Sequence, residues 1–253
     1  MSDRRRIGFD RTISSEWLDA AAARVMRGEA PDATKKFLWD FLEDVEPGKT
    51  INSGRGKTLT VLSRIWVSVP NQAEPLRQAA LECIACASGD SRVGVHWAMV
   101  AGTHPFFFEV VTHVGKLMKL HSQANRSQIK RRMMESWGDR STLERTIQHV
   151  LRSIVRWGLL RAGKEHGSLV APAQLTNVTD DVAHLLIHSV LLGQGRGLRF
   201  SHLINHAALF PFALHITVRD LMRNPIFRVQ RQGDESDIIE LAGGAVVPLP
   251  RLA

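Results

Sequence analysis

The sequence predicts a mainly α-helical fold: a helical N-terminal bundle, then three helices and a β-hairpin, then a C-terminal helical segment that ends in a second hairpin. Three observations carry this. Apolar residues recur at helical spacing through most of the chain, and Gly or Pro punctuates the segments. Past Pro105 three such segments run into two short extended stretches joined by a Gly-bounded polar turn. The positive charge is concentrated there. Residues 126–164 hold ten Lys/Arg against three Asp/Glu, or +7, while the remaining 23 Lys/Arg and 22 Asp/Glu leave only +1 of the net +8. A short segment with nearly all the excess charge is the footprint of a polyanion site.

The elements follow in order. Residues 1–13 read as a basic arm with the Arg4–Arg6 cluster, expected to be mobile. Residues 14–104 read as a helical bundle: Ser14/Ser15 to Arg27, Thr34 to Glu43, Thr58–Val69, Leu76–Cys86 and His96 to Ala101. Residues 105–172 give Phe106–Leu120, a basic helix Ser127–Trp137, a turn at Gly138-Asp139, and a long helix Ser141–Trp157 opening on Ser141-x-x-Glu144, the spacing of a capping box. Leu159–Arg161 and Ser168–Ala171 then form a hairpin. Three helices and a hairpin in that order make a winged helix-turn-helix. Residues 173–253 give helices Val182–Leu192, Leu198–Leu209 and Leu214–Arg223, then strands Phe227–Gln232 and Asp237–Leu241, a loose repeat of the same order and hence a second winged-helix-like unit.

On Ser141–Trp157 one stripe is apolar (Leu143, Ile147, Val150, Leu151, Ile154). The opposite stripe is Arg145, Gln148, His149, Arg152 and Arg156, five long polar side chains aligned at helical spacing. A helix of this kind fits the major groove, where Arg reads guanine edges and Gln reads adenine. Lys130, Arg131 and Arg132 on the preceding helix and Lys164 at the hairpin tip suit flanking phosphates, and Arg140, Ser141 and Thr142 at the turn complete the expected nucleic-acid-binding set. The competing reading is an ordinary solvated face. The charge concentration, the turn and the hairpin in the right place weigh against it.

Other chemistry is poorly supported. Two cysteines in 253 residues, Cys83 and Cys86, cannot make a disulfide framework, and their C-x-x-C spacing has no second pair to close a zinc site, so two small buried thiols are expected. MSDRRRIGFD lacks the apolar run of a secretory signal, and the uncharged stretch Val93–Phe108 is too short to span a bilayer and is broken by Pro105. A cytoplasmic protein is expected. Gly54-Arg55-Gly56-Lys57-Thr58 resembles a phosphate-binding loop but lacks the first glycine, since Ile51 stands there, and no strand precedes it. His184/His188 and His202/His206 are each spaced i, i+4 on expected helices, a geometry that can ligate metal, but neither pair carries the glutamate of H-E-x-x-H. There is no G-x-S-x-G elbow, and with no tyrosine in the chain no Tyr nucleophile exists. No catalytic residue, cofactor or metal is expected.

The runs His96-Trp97, Thr103-His104-Pro105-Phe106-Phe107, Trp137-Gly138-Asp139-Arg140-Ser141-Thr142 and Val155-Arg156-Trp157-Gly158-Leu159-Leu160 resemble the BrxA-type proteins of bacterial phage-defence (BREX-like) systems. Phe210-Pro211-Phe212 and Phe227-Arg228-Val229-Gln230-Arg231-Gln232-Gly233 are similar to their C-terminal part. The resemblance spans about residues 50–240 and implies a non-enzymatic double-stranded DNA-binding component that works beside other defence-system proteins, with no membrane partner. It transfers no site residue. The alternative is a protein–protein adaptor whose winged helix docks an acidic partner, with Trp17, Trp39, Trp66 and Trp97 as interface anchors.

Overall fold

A computed structural model describes residues 7–232 and 236–243. The expected Arg4–Arg6 cluster and the turn residues 233–235 lie outside the described residues. Among the described residues the fold is mainly helical with three small sheets. The N-terminal bundle comprises α1 (Ser15–Met26), α2 (Pro31–Phe41), α3 (Gly54–Leu62) running into a π-helical turn at Ser63–Val67, α4 (Glu74–Cys86) and α5 (Gly89–Thr103). Proline opens α2 and falls in the first turn of α4, where its missing N–H costs nothing. The last of these helices is longer than the apolar run from His96 to Ala101 suggests. Its first turns carry Arg92, which bonds Asp19 on α1, and His96, whose Nε2 lies 2.8 Å from the same carboxylate.

Residues 7–13, expected to be mobile, are packed. Phe9 and Ile13 are fully buried. Phe9 meets the rings of His104 and Phe107 at 5.5 Å. The aromatic and aliphatic side chains set between the charges of this segment have enough area to hold it on the body.

The next unit is a winged helix-turn-helix: α6 (Pro105–His121), β1 (Ala124–Asn125), α7 (Arg126–Trp137), α8 (Leu143–Arg156), β2 (Arg161–Ala162) and β3 (Ser168–Val170), with sheet order β1-β3-β2, all antiparallel. The strand β1, paired Ala124 to Leu169, closes the sheet onto the start of α7. Gly138 holds a φ of 74°, a left-handed value that favours glycine, and lets the chain turn sharply between α7 and α8. The expected capping box is absent. Thr142, not Ser141, is the N-cap of α8, and its helical dihedrals make no side-chain cap. Glu144 is drawn instead to Lys130 of α7, at 2.6 Å.

The C-terminal segment repeats this topology. The order α9 (Asp180–Gln194), β5 (Leu198–Arg199), α10 (Phe200–Ile204), α11 (Val218–Arg223), β7 (Phe227–Gln232) and β8 (Ser236–Leu241) gives a sheet ordered β5-β8-β7, the counterpart of β1-β3-β2. A short parallel pair, β4 (Thr176–Asn177) with β6 (Phe212–Ala213), ties the chain that enters α9 to the stretch between α10 and α11. Helix α9 runs a little longer than the expected Val182–Leu192, while α10 and α11 are shorter than the expected Leu198–Leu209 and Leu214–Arg223. Helix α10 stops at Ile204 because the following residues serve α6: a Cβ on Gly115 of α6 would overlap the carbonyl oxygen of Ala207, and Lys119 donates to the Asn205 carbonyl. His202 and His206 are therefore not partners on one helix. His206 caps the turn at Ala207–Leu209 by accepting from the Ala208 N–H and stacks on Phe108 at 5.6 Å.

A continuous apolar cluster runs from Phe9 to Ile239 through all three regions. Trp97 is its junction. Its indole is fully buried, lies edge-on to Phe107, Trp157, Phe210 and Phe212 at 5.3–6.4 Å, and donates to the Ala208 carbonyl at 3.2 Å. Trp17 and Trp66 are buried as well, and half-buried Trp39 lies 4.4 Å beneath the Arg55 guanidinium. The tryptophans are thus structural, which removes the main motive for the adaptor reading.

Candidate nucleic-acid interface

Helix α8 is amphipathic in the sense its sequence requires. Leu143, Ile147, Val150, Leu151 and Ile154 are buried against the core, while Arg145, Arg152 and Arg156 are exposed and Gln148 is half-buried. The start of the helix is fixed from below. Trp137, the last residue of α7, donates its Nε1–H to Glu109 on α6 at 2.7 Å, and Ser136 donates to the same carboxylate. Burial opposes ionisation of Glu109, but hydrogen bonds from His113, Ser136 and Trp137 outweigh it and hold the carboxyl below its ordinary value. The turn Gly138–Thr142, with Arg140, Ser141 and Thr142 all exposed, is thereby anchored on α6.

Most residues expected on the face are there. Arg131 is exposed and Arg132 half-buried on α7, and Lys164 is exposed at the wing tip. The wing itself is tightened by Gly163 N–H to Ser168 O at 3.0 Å and by Ser168 Oγ to Glu165 O at 2.8 Å. Arg126, exposed at the start of α7, donates its backbone N–H to Gly167 and so sits beside the wing, a position its sequence context did not reveal. Among the described residues Arg145, Arg152 and Lys164 hold no ion pair.

Two residues are placed differently. Lys130 is paired with Glu144, and the pairing raises its pKa. Its charge is then shared with a carboxylate that stands on the same rim. His149 turns away from the solvent stripe. Its Nδ1 lies 3.0 Å from Thr12 Oγ1, and burial, followed by the charges of Arg11, Arg145 and Arg152, holds its pKa below the usual value. One helical step on, Ser153 Oγ accepts from the Ile13 N–H at 2.8 Å, and Trp157 Nε1–H donates to the Ile13 carbonyl at 3.0 Å. The segment 7–14 thus straps the flank of α8 that His149 and Ser153 occupy. Only the small hydroxyl of Ser153, a break in the long polar stripe, hints at this in the sequence.

The second unit carries no such excess of positive charge. Between 180 and 241 six arginines stand against seven carboxylates, a net charge of −1. Arg228 and Arg231 are paired across the hairpin with Glu240 and Asp237 at 3.5 and 3.6 Å.

The remaining motifs hold structural roles. Arg55 is buried, donating to the Trp39 carbonyl and lying 3.4 Å from Glu43, so the Gly54–Thr58 run is the start of α3 and not a phosphate cradle. Cys83 is half-buried and Cys86 exposed, so the expectation of two buried thiols holds only in part. Burial, with Asp181 and Cys86 alongside, pushes the Cys83 thiol up to about 11, which leaves it a poor nucleophile. Both cysteines line a cleft of about 650 Å³ with His184 and His188, but no group of three or more His, Cys, Asp or Glu among the described residues is placed to hold a metal ion. No helix among them is long and apolar enough to cross a membrane. No protein-family model, curated protein or solved structure matches this chain.

Proposed function

We propose that this protein is a non-enzymatic binder of double-stranded DNA that sets α8 in the major groove, with Arg145, Gln148, Arg152 and Arg156 toward base edges. Arg126, Arg131, Arg132 and Lys164 are the phosphate contacts, and Arg140, Ser141 and Thr142 meet the backbone at the turn. The observation that carries this is the division of α8: an apolar stripe sunk in the core and an arginine stripe in solvent, on the helix that winged-helix proteins present to a groove. His149, strapped by Thr12, is left out of the contact set. A place beside other components of a phage-defence system, in the cytoplasm, is the setting that the BrxA-type resemblance implies and forms part of the same proposal.

Replacing Arg145, Arg152 and Arg156 together by alanine tests it. Each lost arginine contact is worth about 1 kcal/mol or more, so affinity for a fluorescein-labelled duplex should fall by about 100-fold or more. The thermal midpoint should stay within a few degrees, because all three side chains are exposed. Unchanged affinity in fluorescence anisotropy contradicts the proposal.

A further inference from the structure

We infer that the cleft of about 650 Å³ between α4, α9 and α11 is a binding site for a small organic cation, with an ammonium or guanidinium head at its acidic rim and an apolar, hydrogen-bonding body on its floor. The inference goes beyond the DNA-binding reading and does not rest on it, because the described lining residues all lie outside α7, α8 and the wing. The volume is that of a small-molecule site, which usually measures about 300–1,000 Å³.

The floor is apolar with two imidazoles set in it. Phe227, Leu185 and His188 are buried, and Ile226 packs against the same core. His184 and His188, one turn apart on α9, both meet the Phe227 ring, the first stacked at 5.9 Å and the second edge-on at 6.3 Å. His188 is only 3% exposed, yet its Nδ1 has no hydrogen-bond partner, and the buried Nε2 of His184 has none either. Buried polar atoms are nearly always paired, so two orphans on residues of one cleft wall point to a partner that arrives from outside the chain. Burial brings His188 down to about 4 and so keeps it neutral at pH 7. A neutral imidazole has one donor and one acceptor nitrogen, and it therefore suits a hydroxyl or an amide and not an anion.

The rim is anionic. Glu82 on α4 and Asp180 and Asp181 on the first turn of α9 are exposed, and among the described residues none of the three holds an ion pair. Hydrogen bonds from the Thr217 hydroxyl and backbone N–H, with the charge of Arg223 adding to them, hold Asp220 below its ordinary value. Arg223, the one Lys or Arg among the described lining residues, thus has its charge offset by Asp220. Three carboxylates remain, more than the half charge of the helix start can balance. Their field reaches inside: the Cys83 pKa, raised first by burial, is raised further by Asp181. A bare metal ion is not served, since among the described residues no group of three or more His, Cys, Asp or Glu is placed to hold one. A cation carried on a stem is served, because its head stays at the wet rim while the stem covers Phe227.

The test is isothermal titration calorimetry of the full-length protein at pH 7 and low salt with tyramine, which has an ammonium head, an aromatic body and a distal hydroxyl. The comparison is 4-ethylphenol, the same molecule without the ammonium group. Tyramine should bind with a dissociation constant of about 1 mM or below, and 4-ethylphenol about tenfold more weakly or worse. Asp180→Asn/Asp181→Asn removes two exposed charges and leaves the floor intact, so it should weaken tyramine by about tenfold and leave 4-ethylphenol unchanged. The place of binding is read from the two cysteines of the chain, both on this cleft: saturating tyramine should slow labelling of exposed Cys86 by N-ethylmaleimide severalfold, as followed by intact mass. Equal affinity for the two probes, a double variant that binds tyramine as wild type does, or labelling that tyramine leaves unchanged overturns the inference. No detectable binding of tyramine at about 10 mM overturns it too. None of these results touches the DNA-binding reading, whose own test is duplex affinity.

Discussion

Trp97→Ala is expected to cost about 3–5 kcal/mol of folding stability, enough to leave little of a typical domain's margin. The indole is fully buried, touches four aromatic rings and makes a hydrogen bond to the Ala208 carbonyl. Truncation removes the apolar contact, leaves a cavity at the junction of the bundle and both winged-helix units, and orphans a buried carbonyl. The effect should exceed that of truncating a peripheral core residue such as Ile216, and urea denaturation with far-UV circular dichroism measures it. A cost below about 1 kcal/mol contradicts the view that the three regions share a core.

Stability is also expected to fall by about 5 kcal/mol between pH 7 and pH 5, through histidines. Burial, then the charge of Arg64, pushes His104 down to about 3. Burial alone brings His188 to about 4, and burial with Lys116 and Lys119 brings His206 to about 4. The unfolded chain protonates each near 6.5, so below that pH it binds protons that the folded state refuses. The stabilisation is complete above the unfolded value and is lost as pH falls from 6.5 towards 3–4, at about 2 kcal/mol per histidine by pH 5. Glu109 and Asp19, held below their ordinary values, add an acid-sensitive contribution that is lost only at lower pH. For Asp19, burial acts against ionisation, and His96 and Arg92 outweigh it. Urea melts at pH 7, 6 and 5 report the loss directly. His188→Leu should flatten the dependence by about a third, and an identical pH profile in that variant contradicts the assignment.

What was legible in the sequence is what repeats at helical spacing. Both faces of α8 and the order of helices, turn and wing follow from the alternation of Leu, Ile and Val with Arg and from Gly138 and Gly158. The same order, more weakly punctuated, gave the second hairpin. What stayed hidden depends on long-range contact. The strand at Ala124–Asn125 is two residues long and has no period of its own, and exists because Leu169 and Ser168 pair with it. The strap over α8 joins Thr12 to His149 across 137 residues. His149 fits the polar stripe by spacing, yet an imidazole is amphipathic enough to turn inward once a hydroxyl is there to meet it. Glu144 at the capping-box position had an alternative that local sequence does not show, a lysine on the neighbouring helix. The stretch Leu198–Leu209 reads as one helix, but close packing of Ala207 on Gly115 ends that helix at Ile204 and leaves a short turn after it.

The most direct measurement is the affinity of the unmodified protein for a labelled DNA duplex across a series of salt concentrations. Five phosphate contacts from the winged helix give a slope of log affinity against log salt of about −4.5. A slope of about −4 or beyond is the expected result. No detectable binding at about 50 mM salt, or binding that salt leaves unchanged, contradicts the central claim.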